Sequence, residues 1–175
     1  PLHEAVFQEH EEVVRVLFDH GADHDALPIF FQEHEEVVRV LFDHGADASP
    51  NDDGESTPLH HAANEGHVAM LLLLLENGAD VAAKNKINRG ATPLHLAASS
   101  SHTAVVLLLL EHGAELSSKT DGGWTPLHAA ALCRHTTVTR VLLHKGADLQ
   151  SKNIHGQSPY DIATAHANYD VAAML

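Results

Sequence analysis

Apolar residues occur in blocks along the chain, and polar stretches that contain glycine separate the blocks. The block "HVAMLLLLLEN" carries large aliphatic side chains and ends before Gly78, whereas the shorter "PLHHAANEG" in front of it carries mostly small ones. Thr57 suits a helix N-cap, Pro58 suits the first helical position, and Gly78 suits the left-handed residue that ends a helix. The pattern therefore predicts a short helix with small side chains, followed by a more apolar second helix.

Two markers show that this helix pair repeats. "TPLH" occurs at Thr57, Thr92 and Thr125, with a clipped "PLH" at Pro1 and the variant "SPYD" at Ser158. The triplet Gly-Ala-acid begins at Gly21, Gly45, Gly78, Gly113 and Gly146, at spacings of 24, 33, 35 and 33 residues. One such pair cannot bury its apolar face alone, so we expect the units to stack into one continuous core.

The motif and its period resemble those of the ankyrin repeat family. The resemblance implies an all-α solenoid of stacked helix-turn-helix units with β-turn fingers, in a single domain over residues 1–175. By resemblance the units lie at about 1–23 (clipped at its start), 24–47, 48–80, 81–115, 116–148 and 149–175 (terminal). The fourth unit has two extra residues in its finger, which lengthen the tip around residues 86–89.

The segment FQEHEEVVRVLFDHGAD occurs twice without a change, at residues 7–23 and 31–47. Packing explains identity at core positions, but surface positions such as Gln8 and Gln32 are identical as well. Three explanations stay open: a recent tandem duplication, an engineered or mis-assembled sequence, and a unit that deliberately lacks its finger. The first two are favoured. The second unit also lacks the Thr-Pro cap, and Pro28 predicts that its first helix is short, kinked or absent.

The formal net charge is −14, and acidic residues concentrate in the N-terminal half. Residues 1–83 hold 18 acids and 2 bases, whereas residues 84–175 hold 6 acids and 8 bases. This balance argues against binding to nucleic acid or anionic membrane. The acidic face is either a solvated surface or one that attracts a basic partner. The positive "KINR" finger tip favours an acidic or mixed peptide for the C-terminal half.

Cysteine content and apolar run length bear on location. The chain has one cysteine, Cys133, which excludes an intrachain disulfide and favours a reducing compartment. The longest apolar run, residues 68–75, is far shorter than the ~20 residues of a membrane span. We therefore expect an intracellular protein, cytoplasmic or nuclear, without membrane insertion. Because the chain starts without Met and stops inside an apolar helical pattern, we also expect a fragment of a longer protein.

The 17 histidines invite a metal interpretation, but most occupy repeat positions. Those of the TPLH motifs are expected to bond the cap threonine or nearby backbone, and others start the second helix or precede its terminal glycine. Histidines of one column lie roughly 10 Å apart, whereas zinc ligands converge at about 2 Å from one ion. No nucleophile, phosphate-loop or dinucleotide motif is present. The sequence predicts no catalytic residue, metal site or cofactor.

The resemblance implies that a partner binds along a concave face made of finger tips and first helices. The residues carried over to the fingers are Asp53, Gly54, Ser56, Lys86, Asn88, Arg89, Ala91, Asp121, Trp124, Ile154, His155 and Gln157. Those carried over to the first helices are Phe7, Gln8, Phe31, Gln32, Asn64, Glu65, Ser99, Ser100, Leu132, Cys133 and His166. Trp124 is either an interface hot spot beside Leu132 or a side chain that packs along its own finger.

A second surface is predicted on the convex side. Alignment of the second helices places Leu72 and Leu107 in a column that should face solvent, with Ala69 and Ala104 nearby. Solvent-facing leucines in adjacent units form an apolar patch, and such patches often mark contacts. The alternatives are that the leucine runs have merely drifted, or that the alignment of the second helices is off by one residue. This patch, or uncapped ends of the array, would allow self-association.

The resemblance to the ankyrin repeat family, together with the lack of a catalytic motif, implies a non-enzymatic protein–protein interaction scaffold that binds a protein or peptide partner on its concave face. A pre-ordered surface of this kind binds with little loss of conformational entropy. The alternatives are a targeting or regulatory module of a larger enzyme or channel, and a passive structural spacer.

Overall fold

The computed structural model describes residues 38–39, 42–43, 48–49 and 55–175. The expectations for Pro28 and for most of the duplicated segments lie outside these residues. Over residues 55–175 the chain forms eight α-helices, which confirms the all-α class. They are α1 (Pro58–Glu65), α2 (Val68–Glu76), α3 (Pro93–Ser99), α4 (Thr103–Glu111), α5 (Pro126–Leu132), α6 (Thr136–His144), α7 (Pro159–Ala165) and α8 (Tyr169–Ala172).

The odd-numbered helices all begin at the recurring cap motif. Their N-caps are Thr57, Thr92, Thr125 and Ser158, and a proline follows each cap at the start of the helix. The missing N–H of proline costs nothing there, because the first amides of a helix have no intrahelical partner. The hydroxyl of Thr125 also accepts a hydrogen bond from the backbone N–H of His128 at 3.4 Å. The N-cap position predicted for Thr57 is confirmed.

The even-numbered helices start after a polar N-cap, and α2, α4 and α6 end before a glycine. The N-caps of α2, α4, α6 and α8 are His67, His102, His135 and Asn168. Gly78 follows α2 with a φ of +84°, and Gly113 and Gly146 follow α4 and α6 with φ of +90° and +94°. Glycine adopts this left-handed conformation without the steric cost of a Cβ. The Gly-Ala-acid triplet therefore marks the turn from each second helix into its finger.

The core lies where one helix pair stacks on the next. The first helices contact one another along the array, α1 with α3, α3 with α5 and α5 with α7. The fully buried leucines of this core are Leu59, Leu71, Leu74, Leu94, Leu109, Leu127 and Leu142. Val38 belongs to the same core, so a helical segment on the N-terminal side of α1 also packs against this stack.

The connections from each second helix to the next cap form the fingers. In the lengthened finger of the fourth unit, Asn85 and Ala91 pair in an isolated antiparallel bridge. Residues 86–89 form the turn between them, closed by a hydrogen bond from the Arg89 N–H to the Lys86 carbonyl at 3.0 Å. The buried Asn85 side chain donates from Nδ2 to Ser56 Oγ at 3.1 Å. This bond ties the base of the finger to the preceding unit.

Candidate functional site

Three buried histidines, His60, His95 and His128, connect successive units, and we call them the histidine ladder. In each ring, Nδ1 accepts a hydrogen bond from the backbone N–H of the cap threonine, at 3.1, 3.2 and 3.1 Å. Nε2 then donates to a carbonyl in the next unit's finger. These carbonyls belong to Ala91, Trp124 and Gln157, at 3.1, 2.9 and 3.1 Å. Each ring therefore links its own helix cap to the finger of the following unit.

The partners of the histidine ladder determine its protonation. A backbone N–H only donates and a carbonyl only accepts, so each ring is neutral with its proton on Nε2. Burial lowers the pKa of His95 to about 4, against the opposing effect of its bond to the Trp124 carbonyl. Burial likewise lowers the pKa of His128. Both ring nitrogens are thus engaged in structural bonds, the role expected for the TPLH histidines.

A second set of bonds between units starts at the N-caps of the second helices. His102 Nε2 donates to the Asn64 carbonyl at 2.9 Å, and His135 Nε2 donates to the Ser99 carbonyl at 2.8 Å. Asn168 takes the same role in the last unit. The acceptors lie at the C-terminal ends of first helices, where carbonyls have no intrahelical partner. These bonds hold the helix ends that carry predicted site residues in a fixed register.

The finger tips are bonded to each other through their backbones. The Asp121 N–H donates to the Arg89 carbonyl at 2.8 Å, and the Ile154 N–H donates to the Gly122 carbonyl at 3.0 Å. Each neighbouring pair among the last three fingers is therefore joined. The three fingers form one continuous surface rather than three independent loops.

A row of lysines, Lys84, Lys119 and Lys152, runs along the same fingers, and we call it the lysine ladder. Lys84 Nζ donates to the Lys119 carbonyl at 2.9 Å, and Lys119 Nζ donates to the Lys152 carbonyl at 3.1 Å. Lys152 ends the row in an ion pair with Asp161 at 3.3 Å. Sequence reasoning missed this row, although its spacings of 35 and 33 residues equal those of the cap motifs.

Most residues predicted for the finger surface are exposed. These are Lys86, Asn88, Arg89, Asp121, Ile154 and His155. Ile154 is 68% exposed, and Ile87, which the prediction omitted, is 67% exposed. Ile87 lies at the tip of the lengthened finger, so the two inserted residues were the signal for it. Lys86 forms an ion pair with Glu55. Exposure makes these side chains accessible, and their contact with a partner stays a prediction.

Two residues predicted at the finger surface are buried, so that prediction is wrong for Ser56 and Ala91. Ser56 lies against the next finger, where its hydroxyl accepts from Asn85 Nδ2 at 3.1 Å. Ala91 pairs with Asn85 in the bridge, and its carbonyl accepts from the histidine ladder. Each directly precedes a cap threonine, where the chain turns inward to start the helix. Gln157, at the equivalent position, is half-buried.

The first helices present the C-terminal residues that the resemblance assigned to the site. Asn64, Glu65, Leu132, Cys133 and His166 are exposed, and Ser99 and Ser100 are half-buried. The Ser100 hydroxyl donates to Asn64 Oδ1 at 3.2 Å, which joins α1 to the end of α3. Desolvation raises the pKa of the Cys133 thiol, so it is not an activated nucleophile. Phe7, Gln8, Phe31, Gln32, Asp53 and Gly54 lie outside the described residues.

Trp124 is half-buried and lies along its own finger. Its ring centroid is 5.7 Å from that of His128, with the planes tilted by 55°. A Cβ on Gly122 would lie 3.1 Å from Trp124 Cδ1, so the indole covers that stretch of backbone. Of the two alternatives for Trp124, this geometry favours packing along the finger. A partner contact stays a prediction for the part of the ring that solvent reaches.

The convex column contains both exposed and partly covered apolar side chains. Leu72 is 37% exposed, Ala69 and Ala104 are exposed, and Leu107 is half-buried. The patch thus reaches solvent mainly through α2. Self-association through it stays a prediction.

Within the described residues, no group of three or more His, Cys, Asp and Glu side chains lies close enough to hold a metal ion. In that same part of the chain, none of the helices combines the length and apolarity that a membrane crossing requires.

Comparison with known families identifies the repeats. A family model described as ankyrin repeats (3 copies) matches residues 26–85, 82–153 and 119–175, and a model of the single ankyrin repeat matches residues 1–29. Together the matches cover the whole chain. No curated protein gives a match.

Proposed function

Because this chain belongs to the ankyrin repeat family, whose repeats are generally protein–protein interaction modules, we propose that it is a non-enzymatic binding scaffold. The partner, a protein or peptide, contacts the concave face. We use the name finger face for the exposed tips of the last three fingers together with the exposed C-terminal ends of α1, α3, α5 and α7. The observation that carries the proposal is the bonding of these fingers into one surface.

A surface that is ordered before binding loses little entropy when a partner docks. The finger tips are joined through Asp121 to Arg89 and through Ile154 to Gly122. The histidine ladder joins each finger to the preceding helix cap. These bonds support a surface whose side chains vary from unit to unit while its backbone stays in place.

The exposed side chains also support recognition of a protein. Ile87 and Ile154 are two of the most exposed large apolar residues of the described chain, and both lie on finger tips. Polar side chains such as Asn88 and His155 flank them. Apolar anchors within a polar rim are the usual composition of a protein interface. The exposed Cys133, the only cysteine of the chain, supports an intracellular location for this interaction.

The test is partner capture from cell extract by the immobilised chain, quantified by mass spectrometry. Three proteins are compared: the unchanged chain, Ile87→Ser with Ile154→Ser, and the control Val68→Ser with Tyr169→Ser. The control also removes two exposed apolar side chains, but from the second helices. Each protein must first show an unchanged helical circular dichroism spectrum. We expect the finger variant to lose a set of partners that the control keeps.

Two other results would overturn the proposal. If the finger variant retains every partner, the finger tips are not the binding surface and the passive spacer gains support. If the control loses the partners and the finger variant keeps them, the binding surface lies on the second helices instead.

A further inference from the structure

We propose that the finger face binds an extended acidic peptide segment of its partner, with Lys84 and Lys119 of the lysine ladder contacting two of its carboxylates. This inference rests on the proposed function and names the chemical class of the partner.

The first observation is the distribution of charge. The finger tips, residues 84–91, 119–124 and 152–157, hold five bases and one acid. The rest of the chain holds the other 5 of its 10 bases and the other 23 of its 24 acids. The tips are therefore a positive surface on a strongly negative molecule, and complementary charge favours an acidic partner there.

The second observation is that the ladder holds its lysines in place. Lys84 Nζ is 2.9 Å from the Lys119 carbonyl and Lys119 Nζ is 3.1 Å from the Lys152 carbonyl. An ammonium group has three N–H donors, and the carbonyl takes one, so the others stay available to a ligand. Holding a long lysine side chain in one position costs entropy. Here the side chains are already ordered in the folded chain, so a ligand need not order them when it binds.

The third observation separates these two lysines from the other two lysines of the tips. Lys86 is paired with Glu55, and Lys152 with Asp161. Among the described residues, Lys84 and Lys119 have no carboxylate at ion-pair distance, and both are exposed. A cavity of ≈ 410 Å³ lies between their units, lined in part by Lys84, Ser117, Ser118 and Lys119. Glu115 also lines it, so a ligand carboxylate must approach from the lysine side.

The repeat spacing sets the form of the ligand. Packed helices lie ~8–10 Å apart, so equivalent groups in neighbouring units recur at about that interval. An extended peptide in the polyproline II conformation rises about 3.1 Å per residue with three residues per turn, so every third side chain lies on the same face. Two carboxylates separated by three positions in an extended segment therefore match Lys84 and Lys119.

The same charges argue for a peptide over nucleic acid. Nucleic acid presents a phosphate charge about every 1.7 Å along a duplex and is bound by surfaces that neutralise many of them. This chain has a net charge of −14, and the finger-tip surface holds half of its bases. A short peptide can use that surface without approaching the acidic remainder of the molecule.

Fluorescence anisotropy with the full chain tests the inference. The probe is a fluorescein-labelled synthetic peptide with glutamate at every third position and glycine and serine between. Two double variants that each remove two positive charges are compared. The test variant is Lys84→Gln with Lys119→Gln. The control is Arg140→Gln with Lys145→Gln, which changes one residue in α6 and the residue directly after it. We expect the first to weaken binding about tenfold and the control less than about twofold. Added NaCl should weaken binding by the unchanged chain, because salt screens exposed charges.

A further variant tests whether weaker binding comes from the lost charge or from a loss of folded structure. Lys84→Arg with Lys119→Arg keeps the charge and should retain binding, while Gln removes it. Thermal unfolding by circular dichroism confirms that each variant is folded under the binding conditions. Loss of binding in the arginine variant at unchanged stability would overturn the role of charge.

Other outcomes also decide against the inference. Equal weakening by the Gln variant and its control would show a general charge effect without a site. Binding of a labelled thymidine oligonucleotide as tightly as the peptide would show a phosphate-binding surface instead. If the peptide fails to bind while Ile87→Ser with Ile154→Ser still loses captured partners, the proposed function stands and the acidic ligand is wrong.

Discussion

Four residues just after the first helices adopt the left-handed backbone conformation, and only one of them is glycine. They are Gly66, Ser101, Arg134 and Ala167, with φ of +79°, +65°, +63° and +56°. A Cβ makes this conformation unfavourable by roughly 1–2 kcal/mol. The sequence alignment shows the equivalence of these positions, but the dihedral angles show that three units carry the cost.

Arg134→Gly should therefore raise the free energy of unfolding by about 1 kcal/mol, because glycine has no Cβ to strain. Urea denaturation followed by circular dichroism measures it. Gly66→Ala is the reverse control and should lower the free energy of unfolding. There an added Cβ would meet His102 Nδ1 at 2.5 Å, in addition to the backbone cost. An unchanged or lower stability of the glycine variant would contradict the assignment of strain to Arg134.

Thr139 is a second position at which a single substitution should raise the free energy of unfolding. It is fully buried in α6, and its hydroxyl is the one buried side-chain polar atom among the described residues that has no hydrogen-bond partner. Thr139→Val replaces it with an apolar group of the same shape and should stabilise the chain by about 1 kcal/mol. Thr137→Val, at an exposed position of the same helix, should change stability by less than about 0.5 kcal/mol. Equal effects of the two substitutions in urea denaturation would refute this explanation.

At the scale of a secondary-structure element, the five consecutive leucines of α2 show which structural features a sequence pattern predicts and which it does not. An uninterrupted apolar run predicts a buried helix but does not show which side faces the core. In the structure Leu71 and Leu74 are fully buried and Leu73 nearly so, whereas Leu72 reaches solvent. The stacking of α2 between its neighbours assigns these roles.

The run therefore contains its own matched control. Leu74→Ala should lower the free energy of unfolding by about 3 kcal/mol, because it leaves a cavity in the core. Leu72→Ala makes the same chemical change in the same helix and should cost less than about 1 kcal/mol. Urea unfolding curves of the two variants give the comparison. Similar losses would mean that the orientation of α2 in the stack is wrong.

At the scale of the whole molecule, the units are held together by bonds that recur once per interface. The histidine ladder crosses three successive interfaces, and the finger backbone and lysine bonds run parallel to it. Each unit thus depends on its neighbours, as expected for a solenoid in which repeats contact only adjacent repeats. A change in the protonation of the ladder should consequently act on the stack as a whole.

Stability should therefore fall in mild acid. The pKa of His95 is about 4 in the folded chain and 6.5 when unperturbed, so the unfolded chain binds the proton more readily. The contribution of neutral His95 to the free energy of unfolding is complete above pH 6.5. It is lost as the pH falls towards 4, by roughly 3 kcal/mol. His128 acts in the same direction. Urea unfolding at a series of pH values measures the slope.

Two comparisons assign that slope to the ladder. His95→Gln should flatten it, and His128→Gln should reduce it in the same direction. Hydrogen bonds from Ser158 lower the pKa of Asp161 to about 2, so that carboxyl loses its contribution below this window. A slope that survives in His95→Gln at full size would exclude the ladder as its main source.

Much of the fold was predictable from local sequence, because caps, helix ends and period depend on neighbouring residues. Thr57 as an N-cap, Gly78 as a helix end and the repeated helix pair needed only short-range steric and hydrogen-bonding rules. The family resemblance added the fingers and most of the exposed site residues. Ser56 and Ala91 were misplaced because their burial comes from a neighbouring unit's finger or ladder contact, which no pattern within one unit contains.

The sequence by itself determined the helix pairs, their period and the structural role of the TPLH histidines. Only the tertiary structure decided which leucines of α2 are buried, that Trp124 lies along its own finger, and that Lys84 and Lys119 form a bonded row. The physical reason is the range of the interactions. Caps and turns are satisfied within a few residues, whereas burial and the bonds between units join residues about 30 positions apart, and these form only when the repeats stack.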